Sequence, residues 1–166
     1  MLRSVFYSFH FEPDVHRVAQ IRSIGAIDGN TPAKDNDWHT VTKAGDAAIE
    51  KWIATQMQGR SCTVVLVGTE TANRKWINHE IVQSWNKGLG VVGIHIHGIK
   101  SLDGYTSYKG SNPFDFITHG PTKRKLSSIA KCYDPSGADS KQCYEWFCKH
   151  LENAIEEAIS IRKQNE

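Results

Sequence analysis

Residues 62–67 read Cys-Thr-Val-Val-Leu-Val, an unbroken β-branched and apolar run with no polar–apolar alternation. A strand with one wet face alternates with period two, so this one has to be covered on both faces, as inner strands of parallel sheets are. Val91-Val-Gly-Ile-His-Ile96 has the same character. Between them lie a turn, Gly68-Thr-Glu-Thr71, and a helical pattern over residues 73–87 that Gly88 stops. Strand, helix and second buried strand make a crossover unit.

The rest of the chain continues that alternation. Ser4-Val-Phe-Tyr-Ser-Phe-His10 is a short aromatic strand. A helix opens at Pro13 or Asp14, with Val15, Val18, Ala19 and Ile21 on one face, and Ile24–Asp28 is a short strand. Residues 29–43 read as loop around Trp38. Ala47, Ala48, Ile49, Trp52 and Ile53 mark a helix from Lys43 to Met57, ended by Gly59. A loop-rich stretch over 98–126 carries Asn112-Pro-Phe-Asp-Phe-Ile117, with one helical turn. Ser128–Tyr133 supplies a fifth strand, and a helix from Lys141 to Arg162 closes the chain on a stripe including Trp146, Phe147, Leu151 and Ile155. The pattern predicts an α/β fold in three layers, a central, mostly parallel five-stranded sheet with helices on both faces. Its functional crevice should lie beyond the C-terminal strand ends, in the loops after His10, Val67 and Ile96.

Length and charge narrow the function. The 166 residues fit one domain spanning 1–166, since domains run to roughly 100–200 residues. With 39% apolar and 23% charged residues the chain is neither disordered nor a coiled coil, and no run approaches the ~18–20 apolar residues of a membrane span. Twenty basic against 18 acidic residues give +2, too balanced for a nucleic-acid binder; Lys123-Arg124-Lys125 reads as a solvated loop. The N-terminus lacks a signal-peptide core, so a cytoplasmic location is expected, with Cys62, Cys132, Cys143 and Cys148 reduced. Their spacing matches no zinc pattern.

Several motifs fail on context. Gly88-Leu-Gly-Val-Val-Gly93 fits G-x-G-x-x-G, but it leaves a helix and enters a strand, the reverse of a dinucleotide fingerprint, so Gly88 and Gly90 read as helix stop and turn. There is no Walker A sequence and no G-x-S-x-G elbow near Ser8 and His10. His95 and His97 share one side of a strand end, yet two imidazoles do not make a metal site, and none is expected. Glu80 stands apart. At about 100° per residue it falls about 40° from Trp76, between Trp76 and Ile77 and inside the apolar arc of its helix. A carboxylate there is either desolvated, with a raised pKa, or tied into a structural salt bridge with Arg74 or a loop lysine.

Four segments, Val5–His10, Gly68–Ile81, Val92–Ile96 and Lys109–Asp115, follow one another at intervals that resemble the TIR-like domain family of the Thoeris antiphage defence protein ThsB. The R-x-W-x-x-x-E core, Arg74 to Glu80, and the loop Gly110-Ser-Asn-Pro-Phe-Asp115 carry the likeness over about the first 120 residues. The resemblance implies a flavodoxin-like TIR fold and an enzyme that cleaves NAD between nicotinamide and ribose, an NAD glycohydrolase or ADP-ribosyl cyclase, with NAD as substrate and no cofactor. It implies Glu80 as catalytic residue. Phe6, Ser8, Phe9 and His10 would wall the nucleotide site with Trp76, and Asn112 and Phe114 would line it. The expected product is an ADP-ribose-derived, cyclic signal for a separate effector, a second module after Arg162 not being expected. Activity is expected to await a phage-derived trigger and self-association. A non-enzymatic TIR-like assembly module and a nucleoside deoxyribosyltransferase-like enzyme are the alternatives.

Overall fold

The computed structural model describes residues 3–22, 24, 28–29, 42–135 and 139–166; Trp38, most of its loop and residues 25–27 of the expected second strand lie outside them. Chain order among the described residues is β1 (Ser4–Ser8), α1 (Phe11–Arg22), β2 (Asp28–Gly29), α2 (Asp46–Met57), β3 (Cys62–Val67), α3 (Lys75–Asn86), β4 (Gly90–His95), β5 (Thr118–His119), β6 (Arg124–Lys125), β7 (Cys132–Tyr133) and α4 (Ser140–Gln164). The main sheet is parallel, in the order β2-β1-β3-β4-β7, and β5 and β6 form a separate antiparallel ribbon.

All six residues of β3 are buried, as its unbroken apolar run requires. Val64 and Leu66 pack with Val18 and Ile21 of α1 and Phe147, Leu151 and Ile155 of α4. Val65 and Val67 face the other way, against Ile77, Ile81 and Trp85 of α3, and Phe6 of β1 meets Ile49, Ile53 and Met57 of α2. Helices therefore cover both faces. Gly90 lies against α4: a Cβ there would lie 2.7 Å from the Ala158 carbonyl carbon, so this glycine serves packing rather than the turn expected of it. Gly88, at φ +84°, does stop α3.

The main sheet has five strands; among the described residues β1, β3 and β4 run to five or six residues and the edge strands β2 and β7 show two each. The expected strand over 128–133 keeps only Cys132–Tyr133. Upstream, Leu126–Ser128 form a 3-10 turn closed by the Ile129 and Ala130 amides on the Leu126 carbonyl, which sends Leu126 and Ala130 into the core beneath α3 instead of a ladder. At the other end α1 starts at Phe11, ahead of Pro13, because a proline in the first turn removes no intrahelical hydrogen bond.

Candidate active site

The chain leaves β1 for β2 and returns to β3 on β1's other side, so strand order reverses between β1 and β3. Open α/β sheets bind ligands beyond the carboxyl ends of the strands at such a reversal. A cavity of about 540 Å³ lies there. One wall is Phe6 and Tyr7 of β1 with Phe9, His10 and Phe11 just past its end. A second is the start of α3, from Asn73 to Ile77, and a third is Trp52 and Gln56, one turn apart on α2. Arg22, the last residue of α1, and Glu80 complete the lining.

The start of α3 is set by Asn73, whose φ of +61° lies in the left-handed region that asparagine tolerates better than most residues. Asn78 Nδ2 donates to Asn73 Oδ1 at 3.2 Å, and Arg74 is extended, so the helix begins at Lys75 with no side-chain cap. From there the 3.6-residue period places Ile77, Glu80, Ile81, Ser84 and Trp85 on the buried face. Glu80 is only 7% exposed. The Ser8 hydroxyl donates to its Oε2. Below it, Ser84 Oγ donates to the Glu80 carbonyl at 2.6 Å and sits 2.6 Å from Thr63 Oγ1, so a short polar seam runs between the sheet and α3.

Burial pushes the Glu80 carboxyl up from 4.5 to about 8, against the opposing pull of the Ser8 hydrogen bond. The salt-bridge alternative is not realised among the described residues. Arg74 pairs with Glu70 at 3.5 Å and Lys75 with Asp46, both on exposed surface. Glu80 is thus a desolvated carboxyl on the wall of an aromatic cavity, able to ionise once a cation or a set of hydrogen-bond donors arrives.

The structure brings Phe6, Phe9, His10, Trp76 and Glu80 onto one cavity, with Ser8 in hydrogen-bond contact with Glu80. Asn112 and Phe114 do not line it, which corrects their expected role. Asn112 Oδ1 accepts from the Phe114 amide and caps the 3-10 turn Pro113–Phe116. That turn rotates Phe114 inward, fully buried among Ile77, Ile81 and Trp85. His95 and His97 do lie together, ring centroids 5.7 Å apart, with Asp134 3.9 Å from His97. Burial holds His95 down at about 4, and no group of three or more His, Cys, Asp or Glu among the described residues is placed to hold a metal. Arg124 and Lys125 are exposed on the ribbon, as expected of a solvated segment.

The sequence alone does not single out Arg22, Phe11, Gln56, Asn73, Arg74, Lys75 or Ile77 as lining residues, and it marks Trp52 only as part of its helix. The i, i+4 pair Trp52 and Gln56 was the available signal; Arg22 offered none, since a basic residue ending a helix is ordinarily solvated.

Residues 6–101 match the family model described as "Thoeris protein ThsB, TIR-like domain". Over 122 residues the chain is 34% identical to a protein of Bacillus cereus (strain MSX-D12) named "Putative cyclic ADP-D-ribose synthase ThsB1", an alignment spanning 70% of this chain and 64% of that relative. The chain therefore covers less than two thirds of the relative's length. No described helix is long and apolar enough to cross a membrane.

Proposed function

This chain belongs to the ThsB TIR-like domain family, and on that premise we propose that it is an antiphage-defence enzyme that cleaves NAD at the nicotinamide–ribose bond and makes a cyclic ADP-ribose product. The observation that carries this reading is the desolvated Glu80 on an aromatic cavity at the strand-order reversal.

The chemistry asks little of the protein. When the C–N bond breaks, nicotinamide takes the electron pair and departs neutral from what was a cationic ring, leaving positive charge on the ribose. An ionised Glu80 beside that ribose stabilises the developing oxocarbenium character, as carboxylates do in glycoside cleavage. Phe6, Phe9, Trp52 and Trp76 offer π-faces for adenine and nicotinamide, each stacked base being worth about 1–3 kcal/mol. Water attack on the ribosyl centre gives ADP-ribose and a proton; attack by a nucleophile of the same molecule closes a ring. A cavity that excludes water favours the second. The product then acts as a diffusible signal on a separate effector, and a phage-derived trigger with self-association of the chain switches the enzyme on.

The test is chromatography of NAD incubated with the protein, with and without extract of phage-infected cells, followed by transfer of the filtrate to a candidate effector. Release of nicotinamide with a cyclic product that activates the effector supports the reading. Nicotinamide with only linear ADP-ribose reduces it to NAD depletion. Intact NAD under both conditions overturns it in favour of a non-enzymatic module.

A further inference from the structure

Three Arg and Lys side chains line the cavity, and two already have acidic partners: Arg74 has Glu70 and Lys75 has Asp46. Arg22 has none among the described residues. Its guanidinium carbon lies 5.2 Å from the Tyr7 ring centroid and 5.6 Å from that of Phe9, a cation held against two π-faces. Its Nε is enclosed with no hydrogen-bond partner. Burial lowers its pKa, so the fold makes the charge less comfortable than in water, and among the described residues no carboxylate pairs with it in return. Glu80 does not fill that place among the described residues: its carboxylate takes the Ser8 hydroxyl, and the Arg22 Nε has no partner, though both residues line the cavity.

A ligand that satisfies both must carry an anion at one end and a cation or polyhydroxyl group at the other. The arginine fork matches phosphate oxygens better than any other common anion. We infer that Arg22 binds the diphosphate of a dinucleotide and so makes the cavity select dinucleotides over nucleosides. This deepens the NAD reading and rests on it. Arg22 then anchors the ligand's middle, the aromatic wall receives its bases, and the ribose next to the scissile bond is brought to Glu80.

Trp52 and Trp76 on the cavity wall allow binding to be read by tryptophan fluorescence without turnover. The ligands are ADP-ribose, inorganic pyrophosphate and adenosine, titrated into the wild type, Arg22→Gln and Arg22→Lys. A charge-assisted contact of this kind predicts that Arg22→Gln weakens ADP-ribose and pyrophosphate about 30–100-fold and adenosine less than about twofold, with Arg22→Lys between. Unchanged ADP-ribose affinity in Arg22→Gln, or an equal loss for adenosine, overturns the assignment. If Arg22→Gln does not fold, the wild type decides: ADP-ribose binding no tighter than adenosine, or insensitive to salt, also overturns it. Pyrophosphate separates a bare phosphate site from a nucleotide site. ADP-ribose held through Arg22 by a protein that never cleaves NAD sinks the enzyme reading and keeps this one; NAD cleavage with Arg22→Gln binding as wild type does the reverse.

Discussion

Replacing Glu80 by glutamine keeps the side-chain shape and removes the ionisation, so the structure predicts a stability change that depends on pH. The carboxyl titrates at 4.5 when unconstrained and at about 8 in the fold, because burial disfavours its charged form. Between those values the native chain holds a proton that the unfolded chain has released. Stability from this group is therefore fully present below pH 4.5 and is lost progressively as pH rises toward 8. At about 1.36 kcal/mol per pKa unit, the loss is slight at pH 5, about 3 kcal/mol at pH 7 and between about 4 and 5 kcal/mol at pH 9. Glu80 is nearly enclosed, so solvent screening removes little of this. Glutamine still accepts the Ser8 hydroxyl. Urea unfolding of both proteins at pH 5, 7 and 9, followed by tryptophan fluorescence, should show Glu80→Gln gaining on the wild type by about 4 kcal/mol across that range with an unchanged m-value. Other titrating groups, Asp14 at about 6 among them, are common to both proteins and cancel in the difference. A wild-type-minus-variant gap that stays constant with pH would refute the burial argument, whatever the protein's activity.

In a triggered NAD assay, Glu80→Gln should lose about 10²–10³ in turnover, the cost of removing one transition-state contact, and near-wild-type turnover in the folded variant ends the catalytic assignment. Ser8→Ala deletes the one hydrogen bond that pulls the Glu80 pKa down, so the pH at which the urea-monitored loss of stability levels off should move above 8; an unmoved or lowered midpoint contradicts the observed pairing. Gly68→Ala places a Cβ 2.1 Å from the Asp14 carboxylate oxygen, and thermal unfolding should show a loss of about 1–3 kcal/mol; a neutral variant would mean that Asp14 of α1 does not sit against Gly68.

What the sequence made legible follows from how many residues repeat a constraint. Burial of β3 on both faces recurs at each of six positions, so the strand was readable with its boundaries. The place of Glu80 was readable for a similar reason: Ile77, Ile81 and Trp85 fix the inward face of α3, and a residue between them has nowhere else to point. A two-residue pairing such as Gly93–Cys132 and Ile94–Tyr133 leaves no periodic trace, so the sequence does not show that β7 stops at two residues. Asn112-Pro-Phe gave away its turn, through the asparagine cap and the proline, but not its direction. Whether Phe114 faces crevice or core depends on Val65, Ile81 and Trp85, which are distant in sequence and decide the matter by enclosing it. Arg22 is the converse case, a polar residue whose neighbours in space, Tyr7 and Phe9, keep it from the solvent that its sequence position suggests.

The raised pKa of Glu80 bears on selectivity as well as on stability. With a carboxyl titrating at about 8, the empty cavity at pH 7 holds it mostly protonated, a form that cannot stabilise an oxocarbenium ion. A cationic nicotinamide ring entering the cavity changes that balance, since an opposite charge in a poorly hydrated site favours the carboxylate and expels its proton. A neutral nucleoside brings no such charge and leaves Glu80 neutral. On the proposed reaction, the substrate thus creates the charged form of the group that acts on it, and the neutral nicotinamide that leaves no longer sustains it. Burial that costs the fold stability at neutral pH would in this way restrict bond cleavage to ligands carrying a cationic leaving group.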